Sequence, residues 1–388
     1  MIFTSFTYLS FFLLVFTAYW AVRNRAFQNI LLLVASYVFY GWITPWFCLL
    51  IAGSTLVDYF CGLKMAALPQ YKKRFLAISL VFNLGMLGIF KYFNFFYENI
   101  STTLDSIGLG YHPLALQIAL PVGISFYTFQ TLSYSIDIYR GQLQPRKNFI
   151  DFALFVSFFP QLVAGPIERA KSFLPQVERQ RTWSWKVFDS AWPLILTGFF
   201  KKLVIADNIA FYVDKVFMLE TPSPILLAAG TLAFSIQIYA DFSGYTDIAR
   251  GTARMFGFEL MRNFHFPYFA ISPADFWRRW HISLSSWIRD YLYIPLGGSR
   301  QKSKGQYAVV ILLTMALCGL WHGAAWNFVI WGIYHGLLIL IYTLLGLGGR
   351  WQPKGLLIKL LALVVMFCFI QFGWLIFRTP SLNWLITA

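Results

Sequence analysis

Long apolar runs separated by short polar gaps make up the first half of the chain. The runs cover residues 6–22, 30–42, 46–63, 75–97 and 114–139. A helix needs about 20 mainly apolar residues to cross a bilayer, and most of these runs approach that length. The pattern therefore predicts membrane-spanning helices. The Thr-Pro pair between the second and third runs predicts that these two form a helical hairpin.

The second half alternates apolar runs with polar, Trp-rich stretches. Residues 152–164 are too short to cross and have basic gaps on both sides, which predicts a re-entrant segment or a helix buried in protein. Residues 250–304 are too polar to span and too apolar for a free loop, so we expect short helices at the cytoplasmic interface. The other runs are predicted spans, at residues 192–212, 225–239, 307–320, 324–345 and 356–376.

Together these patterns predict an all-α, polytopic membrane protein with about 10–11 transmembrane helices and additional re-entrant or interfacial helices. The sequence contains no internal repeat, no low-complexity tract and no evident linker. We therefore predict a single membrane domain over residues 1–388.

Composition and charge agree with this class. The chain is 58% hydrophobic and 12% charged, whereas soluble domains have about 25% charged residues. The net charge of +15 would indicate nucleic acid binding in a soluble protein, but here the cations lie between apolar runs. The positive-inside rule accounts for that placement without a nucleic acid partner. It predicts an outside N-terminus, cytoplasmic gaps at residues 23–25, 64–74 and 140–147, and an outer loop at 98–112.

Missing motifs exclude several chemistries. The four Cys are scattered through apolar runs without metal-ligand spacing, which predicts reduced core thiols and no metal site. The sequence has no GxSxG elbow, P-loop, HExxH or strand-linked GxGxxG motif. The first apolar run lacks a basic leader and a small-residue cleavage site. We interpret it as the first span and not as a cleaved signal.

The sharpest polar features lie at residues 275–293 and 320–336, which hold three of the five His. In the first stretch Trp277, His281 and Ser285 recur every four residues, so a continuous helix would place them on one face. Asp275 and Arg279 have the same spacing and are expected to form an ion pair. We expect the fold to bring the two stretches together.

His322 stands between Trp321 and Gly323 within a long apolar region, where an ionisable group needs a partner or a water-filled cavity. An imidazole there suits a general base or acid. The alternative is a hydrogen-bonded His at the end of a span. His281 is the candidate second acid–base or orienting group, with an interfacial helix residue as its alternative. His335 is interpreted as structural.

Further polar groups have two interpretations each. A cluster of Arg and Trp side chains suits either the phosphates of a cytoplasmic cofactor or plain anchoring to lipid headgroups. It comprises Trp277, Arg278, Arg279, Trp280, Arg289 and Arg300. Lys201 and Lys202 interrupt a span, and either extend to the surface or mark a cavity. A third group follows the span at 225–239 and forms either a helix cap or part of the site; it comprises Asp241, Ser243, Tyr245 and Asp247.

Several motifs in order resemble those of membrane-bound O-acyltransferases. The two signatures are Trp277-Arg-Arg-Trp-His281-Ile-Ser283 and Leu320-Trp-His322-Gly323. Further stretches are similar to the bacterial alginate O-acetyltransferase branch, and the resemblance runs from Met1 to about Arg378. They are Phe3-Thr-Ser-Phe-Thr-Tyr-Leu9, Phe39-Tyr-Gly-Trp42, Pro121-Val-Gly-Ile-Ser-Phe-Tyr127 with Gln130, Phe159-Pro-Gln-Leu-Val-Ala-Gly-Pro-Ile167, Ala240-Asp-Phe-Ser-Gly-Tyr-Thr-Asp247 and Pro295-Leu-Gly-Gly298.

The resemblance implies a helical vessel with an internal tunnel that receives an acyl donor from the cytoplasm. Its essential His corresponds to His322, and the second polar position falls on His281. Alginate-type members generally continue further, so the end in an apolar run at Ala388 implies a truncated chain or a shorter variant. We expect the acyl donor to contact Trp277, Arg278, Arg279, Ser283 and Ser285.

The function implied is acetyl transfer from a cytoplasmic donor, acetyl-CoA, toward hydroxyls of an exported polysaccharide such as alginate. No permanently bound cofactor is expected. The expected location is the bacterial inner membrane, with the N-terminus periplasmic and periplasmic acetyltransferase or carrier proteins as partners. The alternatives within the family are acylation of peptidoglycan and D-alanylation of teichoic acid. Outside it, they are a polysaccharide transporter or flippase and a non-catalytic scaffold.

Overall fold

The computed structural model describes residues 1–109, 119–163, 165–300, 303–349 and 351–387. All regular secondary structure among these residues is helical, which confirms the predicted all-α class. The chain divides into two compact units, residues 1–193 with 249–260 and residues 194–248 with 261–388. Compact units occur in proteins of one domain and of several. The single domain over residues 1–388 therefore stays a prediction.

The first unit contains nine complete helices among the described residues. A π-helical segment, Gly88–Tyr92, joins the fourth helix to the fifth. The helices are α1 (Phe6–Ala21), α2 (Arg25–Gly41), α3 (Phe47–Ala67), α4 (Lys72–Leu87), α5 (Phe93–Ser106), α6 (Ile124–Tyr139), α7 (Phe149–Ser157), α8 (Phe159–Leu162) and α9 (Ala170–Glu178).

The second unit holds most of the polar and aromatic residues singled out from the sequence. Its boundaries fall inside two helices, α10 (Trp185–Phe199) and α12 (Pro224–Met255). The others are α11 (Asp207–Phe217), α13 (Pro273–Arg279), α14 (Ile282–Ile288), α15 (Lys304–His322), α16 (Trp326–Leu344), α17 (Leu356–Arg378) and α18 (Leu382–Thr387).

Side-chain caps begin several helices at the expected residue types. Ser5 caps α1, Asn24 caps α2 and Ser303 caps α15, each accepting from a backbone amide of the first turn. These caps satisfy amides that have no partner within the helix. The helix starts are thus set locally, by single polar residues in front of apolar runs.

Among the described residues, six helical segments are long and apolar enough to cross a membrane. α1 is apolar but has 16 residues, and the other predicted spans correspond to shorter or interrupted helices. The six segments are Phe47–Ala67, Pro69–Ser106, Pro224–Met255, Lys304–His322, Trp326–Leu344 and Leu356–Arg378.

The predicted outer loop at residues 98–112 is in part wrong, because α5 continues to Ser106. No Pro or Gly interrupts the segment before Gly108, whose φ of 82° lies in the left-handed region that ends helices. The lack of Lys and Arg was therefore no sign of a loop. Residues 110–118, with His112 and the start of the span predicted at 114–139, lie outside the described residues.

The short apolar segment at 152–164 is a pair of helices, α7 and α8. The side chains from Asp151 to Ser157 and from Phe159 to Leu162 are buried. This agrees with the interpretation as a helix buried in protein. Ala164, at its end, lies outside the described residues.

A buried polar cluster joins α3, α4 and α6 in the first unit. The carboxylate of Asp58 accepts hydrogen bonds from Ser79, from Ser135 at 2.6 Å and from the amide of Asn83 at 2.7 Å. Ser54 donates to Asn83 Oδ1 at 2.6 Å, and all five side chains are fully buried. A buried carboxylate is stabilised when its oxygens accept such bonds. The cluster therefore links three helices through side chains.

Glycines allow α15 and α16 to pack backbone to backbone in the second unit. A Cβ at Gly332 would lie 2.1 Å from the carbonyl oxygen of Met315, and one at Gly319 would lie 2.0 Å from that of Phe328. Real side chains cannot occupy these positions without moving the helices apart. Small residues of this kind bring membrane helices into close contact. This contact fixes the end of α15, where His322 lies.

The motif at residues 240–247 lies inside α12, so the interpretation as a helix cap is wrong. The carboxylates meet the two lysines that interrupt the earlier span. Lys201 pairs with Asp247 at 2.6 Å, and Lys202 pairs with Asp241 at 2.6 Å. Because the helix continues through the motif, its carboxylates form ion pairs where a cap would have bound helix amides. The lysines are thus paired within the protein.

Candidate active site

The helix predicted through residues 275–293 is broken, and the break falls at His281. α13 ends at Arg279, and α14 begins at Ile282. His281 has φ 44° and ψ 54°, in the left-handed region that costs a non-glycine residue about 1–2 kcal/mol. Trp277 and Ser285 therefore do not share one continuous helical face with it. Hydrogen bonds from a distant segment impose the break, and periodicity cannot show them.

The ion pair predicted within α13 is present. Arg279 Nε lies 3.0 Å from Asp275 Oδ2, and Arg278 lies 3.4 Å from the other carboxylate oxygen. Ser272 caps the helix by accepting from the amide of Asp275. The acidic residue in the first turn and the basic residues in the last turn also suit the helix dipole. This pairing orders α13 just before the break at His281.

His281 lies in an apolar environment with 1% of its surface exposed. The ring of Phe242 packs against it with centroids 4.6 Å apart, and that of Trp321 lies at 5.8 Å. Burial, with the nearby His322 ring as a second cause, lowers the pKa of His281 well below its ordinary value. His281 is therefore a neutral imidazole near neutral pH, able to donate or accept a hydrogen bond.

His322 is the last residue of α15, and its ring centroid lies 6.4 Å from that of His281. The fold thus brings the two predicted His together. Aromatic rings surround His322: Trp321 at 4.9 Å, Trp331 at 5.1 Å and Phe377 at 5.4 Å between centroids. Such walls limit the access of water to reacting groups.

His335 lies apart from this pair, within α16, and is 2% exposed. Its ring stacks on Phe276 with centroids 5.8 Å apart and contacts Trp331 at 4.9 Å. Gly373 of α17 also packs against His335, so closely that a Cβ at this glycine would lie 2.9 Å from the imidazole Nε2. This close packing between α13, α16 and α17 agrees with the structural interpretation.

A cavity of about 480 Å³ opens between α13, α14, α15 and α16. Ile282, which follows His281, lines it, as does Cys318, one turn before His322. The cavity thus lies near the segments that carry both His, although neither imidazole lines it. Its walls are mainly apolar, which suits a long amphipathic ligand. Other lining residues are Trp277, Ser285, Ile311, Thr314, Met315, Ile339, Tyr342 and Thr343.

The structure divides the five predicted donor-binding residues. Trp277, Arg278 and Ser285 line the cavity, whereas Arg279 and Ser283 do not. Arg279 is held by the carboxylate within α13, and the Ser283 hydroxyl donates to Asn263 at 2.6 Å. Arg279 and Ser283 therefore stabilise the segments around the cavity without lining it.

Two polar atoms at the cavity wall have no hydrogen-bond partner among the described residues. They are Thr314 Oγ1 and Trp277 Nε1, both buried. A helical Thr usually donates to the carbonyl four residues earlier, as Thr343 does to Ile339 at 2.7 Å in the same cavity. A buried polar atom without a partner costs free energy. These two atoms are therefore suited to bind polar groups of a ligand.

Cations lie at the open side of the cavity. Arg278 is 45% exposed and Arg289 is 63% exposed at their side chains. Arg278 donates to the carbonyl of Gly349 at 2.8 Å, and Arg289 pairs with Asp290 at 2.8 Å. Their exposed guanidinium groups suit phosphate oxygens. Trp280, from the same predicted cluster, lies instead in the core at 3% exposure.

Sequence reasoning missed two residues of this region. Asn263 accepts hydrogen bonds from the first two backbone amides of α14, those of Ile282 and Ser283. Thr314 lines the cavity. A Thr within the apolar run of α15 was the only local sign for the second. Nothing in the sequence near Asn263 indicates its contact, since its partner lies 20 residues further on.

Metal chemistry finds no ligand set in the part of the chain that the structure describes. Among the residues that the structure describes, no group of three His, Cys, Asp or Glu side chains is close enough to hold a metal ion. The four Cys are free thiols: Cys61 and Cys318 are buried, and Cys48 is half-buried. The prediction of a core thiol is wrong for Cys368, which is exposed on α17.

A pair of His side chains near an apolar cavity in a helical membrane protein suits acid–base chemistry on an amphipathic ligand. The family comparison makes this specific. Residues 143–372 match the model of the membrane-bound O-acyltransferase (MBOAT) family. The chain belongs to this family, and it is a multi-pass membrane O-acyltransferase.

Relatives of known name extend the comparison over almost the whole chain. The chain is 42% identical over 387 residues to the probable alginate O-acetylase AlgI of Pseudomonas aeruginosa, covering 99% of this chain and 73% of the relative. It is 36% identical to the peptidoglycan O-acetyltransferase of Helicobacter pylori, covering 93% and 73%. It is 30% identical to the teichoic acid D-alanyltransferase of Bacillus subtilis, covering 66% and 68%.

Proposed function

We propose that the chain transfers an acetyl group from acetyl-CoA, bound from the cytoplasm, toward hydroxyls of an exported polysaccharide such as alginate. The location would be the bacterial inner membrane, with the N-terminus in the periplasm. The relatives named for alginate O-acetylation support this choice of group and acceptor, since they align with 99% of the chain. The basic gaps between apolar runs support the orientation.

The observation that carries the proposal is the cavity next to the segments that hold the two His, with two buried polar atoms left for a ligand. The arm of acetyl-CoA is long, mainly apolar and contains two amide groups. Thr314 Oγ1 and Trp277 Nε1 would bind those amides, while the apolar walls bury the arm. The guanidinium groups of Arg278 and Arg289 would bind the donor's phosphates.

His322 would act as the general base. It takes the proton of the attacking hydroxyl while the hydroxyl oxygen bonds to the thioester carbonyl carbon. The carbon–sulfur bond then breaks, and the imidazolium of His322 returns the proton to the leaving thiolate. His281, whose pKa is lowered by burial, is poorly suited to hold a proton near neutral pH. Its role would be to position the thioester by a hydrogen bond.

A polymer cannot readily enter a buried site, so periplasmic acetyltransferase or carrier proteins would complete the transfer. Membership of the family favours an enzyme over the transporter and scaffold alternatives. Peptidoglycan remains the second candidate acceptor, because one relative is named for its O-acetylation. D-alanylation of teichoic acid is supported by a more distant relative over less of the chain.

The test is label transfer from radioactive acetyl-CoA in membranes that contain the full chain at matched levels. His322→Ala should lower transfer about 100-fold or more, as expected on loss of a general base. His265→Ala is the matched control, because this imidazole is exposed. Full transfer by His322→Ala would disprove the mechanism. Label on peptidoglycan in place of secreted polysaccharide would change the acceptor.

A further inference from the structure

Two backbone hydrogen bonds bracket the left-handed turn at His281. The amide of His265 donates to the carbonyl of Arg279 at 2.9 Å, and the amide of Ile282 donates to the carbonyl of Asn263 at 2.9 Å. One bond holds the residue two positions before His281, and the other holds the residue after it. The segment from 263 to 265 therefore fixes the path of the chain through the turn.

Asn263 adds bonds through its side chain. Its Oδ1 accepts from the amide of Ser283 at 3.2 Å and from the Ser283 hydroxyl at 2.6 Å. Its Nδ2 lies 3.4 Å from Thr246 Oγ1, and Asn263 is fully buried. All the hydrogen-bonding atoms of this amide thus have partners, and both amides at the start of α14 bond to Asn263.

The first amides of a helix normally bond to the side chain of the N-cap residue. His281 occupies the N-cap position of α14 but makes no side-chain cap bond. Asn263 supplies the cap from another segment of the chain. The imidazole of His281 is therefore not used as a cap and faces the ring of His322, 6.4 Å away.

We infer that Asn263 is a positioning residue for His281: it caps α14 and holds the left-handed turn that places the His281 imidazole beside His322. This inference rests on the role proposed for the His pair in acetyl transfer. Asn263 itself does not line the donor cavity, so it acts through His281 and not by contact with the donor.

The test compares Asn263→Ala with Thr246→Val in the full chain, in membranes with radioactive acetyl-CoA. Asn263→Ala should lower kcat about 10- to 100-fold, because misplacement of a reacting group slows the chemical step. The KM for acetyl-CoA should change by less than about twofold, since the proposed binding contacts of Thr314, Trp277 and Arg278 are kept. Thr246→Val removes the other partner of Asn263 without touching the cap, and should keep the wild-type kcat.

Hydrogen exchange gives a readout that does not depend on activity. The amide of Ser283 should exchange faster in Asn263→Ala and at the wild-type rate in Thr246→Val. The third measurement adds Asn263→Ala to a His281→Gln background. There it should cause no further loss of rate, because the residue it positions is already gone.

An equal loss of rate from Asn263→Ala in both backgrounds would overturn the inference and assign the residue a general structural role. Unchanged kcat with faster exchange at Ser283 would overturn it as well. If His281→Gln is impaired while Asn263→Ala is not, the inference alone fails. A fully active His281→Gln would remove the proposed role of His281, and the inference with it.

Discussion

Two buried polar regions of the chain use their hydrogen-bonding groups in opposite ways. In the first unit, the carboxylate of Asp58 accepts bonds from three neighbouring side chains on two other helices. In the second unit, Thr314 Oγ1 and Trp277 Nε1 lie buried without a partner among the described residues. The first region links helices, because its polar groups bond to one another across them. The second is suited to a ligand, because an unpaired buried polar atom costs free energy until a partner binds it.

The way the helices are joined explains this difference. α3, α4 and α6 are linked by the Asp58 cluster, so the polar side chains of that cluster are engaged in holding the helices together. α15 and α16 approach through Gly319 and Gly332, whose backbones meet those of the facing helix. This backbone contact does not engage the hydroxyl of Thr314, which has no partner among the described residues. A site for a ligand can therefore form on α15 without weakening its contact with α16.

The largest effect is expected from removing the Asp58 carboxylate, the hydrogen-bond acceptor of the cluster that links α3, α4 and α6. Asp58→Leu leaves two hydroxyls and one amide buried without an acceptor, and should lower the free energy of unfolding by about 3–5 kcal/mol. Thermal unfolding of the purified protein measures this loss. The exposed Asp189→Asn is the control and should unfold like the wild type. A stable Asp58→Leu would show that the cluster does not hold the helices.

The second effect concerns the glycine contact. Gly332→Ala places a methyl group 2.1 Å from the carbonyl oxygen of Met315 and should destabilise the fold by about 1–3 kcal/mol. It should also reduce acetyl transfer, because α15 carries His322. Gly88→Ala, with no atom within 4 Å of the new Cβ, is the matched control. Equal behaviour of the two variants would argue against the contact.

The third effect distinguishes the cavity at Thr314 from the Asp58 cluster, because it is expected on donor binding and not on stability. Thr314→Val removes the unpaired hydroxyl with little change in shape, so stability should be kept. The KM for acetyl-CoA, the proposed donor, should rise about tenfold, as expected for the loss of one hydrogen bond. Thr343→Val lines the same cavity but removes a hydroxyl already bonded to Ile339, and should leave KM unchanged. A shared rise in KM would reject the assignment of Thr314.

The smallest effect is a dependence of stability on pH. Burial lowers the pKa of His281 well below 6.5, so below that pH the unfolded chain binds the proton more readily than the folded one. Stability should therefore fall as the pH drops, by about 1 kcal/mol from about pH 7.5 to about pH 5.5. Thermal unfolding at both pH values measures this, and His281→Gln should reduce the difference. The exposed His265→Gln should not.

Much of the architecture follows from local pattern. Apolar runs near membrane length predicted the long helices, and an i to i+4 spacing predicted the pair of Asp275 and Arg279 at 3.0 Å. The same local reasoning failed at residues 98–106, where a polar segment continues as a helix. It also failed at residues 240–247, where carboxylates meet lysines from another helix and need no helix end.

The sequence by itself determined the all-α class, the main spans and the candidacy of His322 and His281, because burial of apolar length and of ionisable groups is readable along the chain. Only the tertiary structure decided that α13 and α14 are separate helices, that Asn263 caps the second, and that Thr314 faces a cavity. These features depend on hydrogen bonds and backbone contacts between residues far apart in the chain. Their energies outweigh the local preference for a continuous helix.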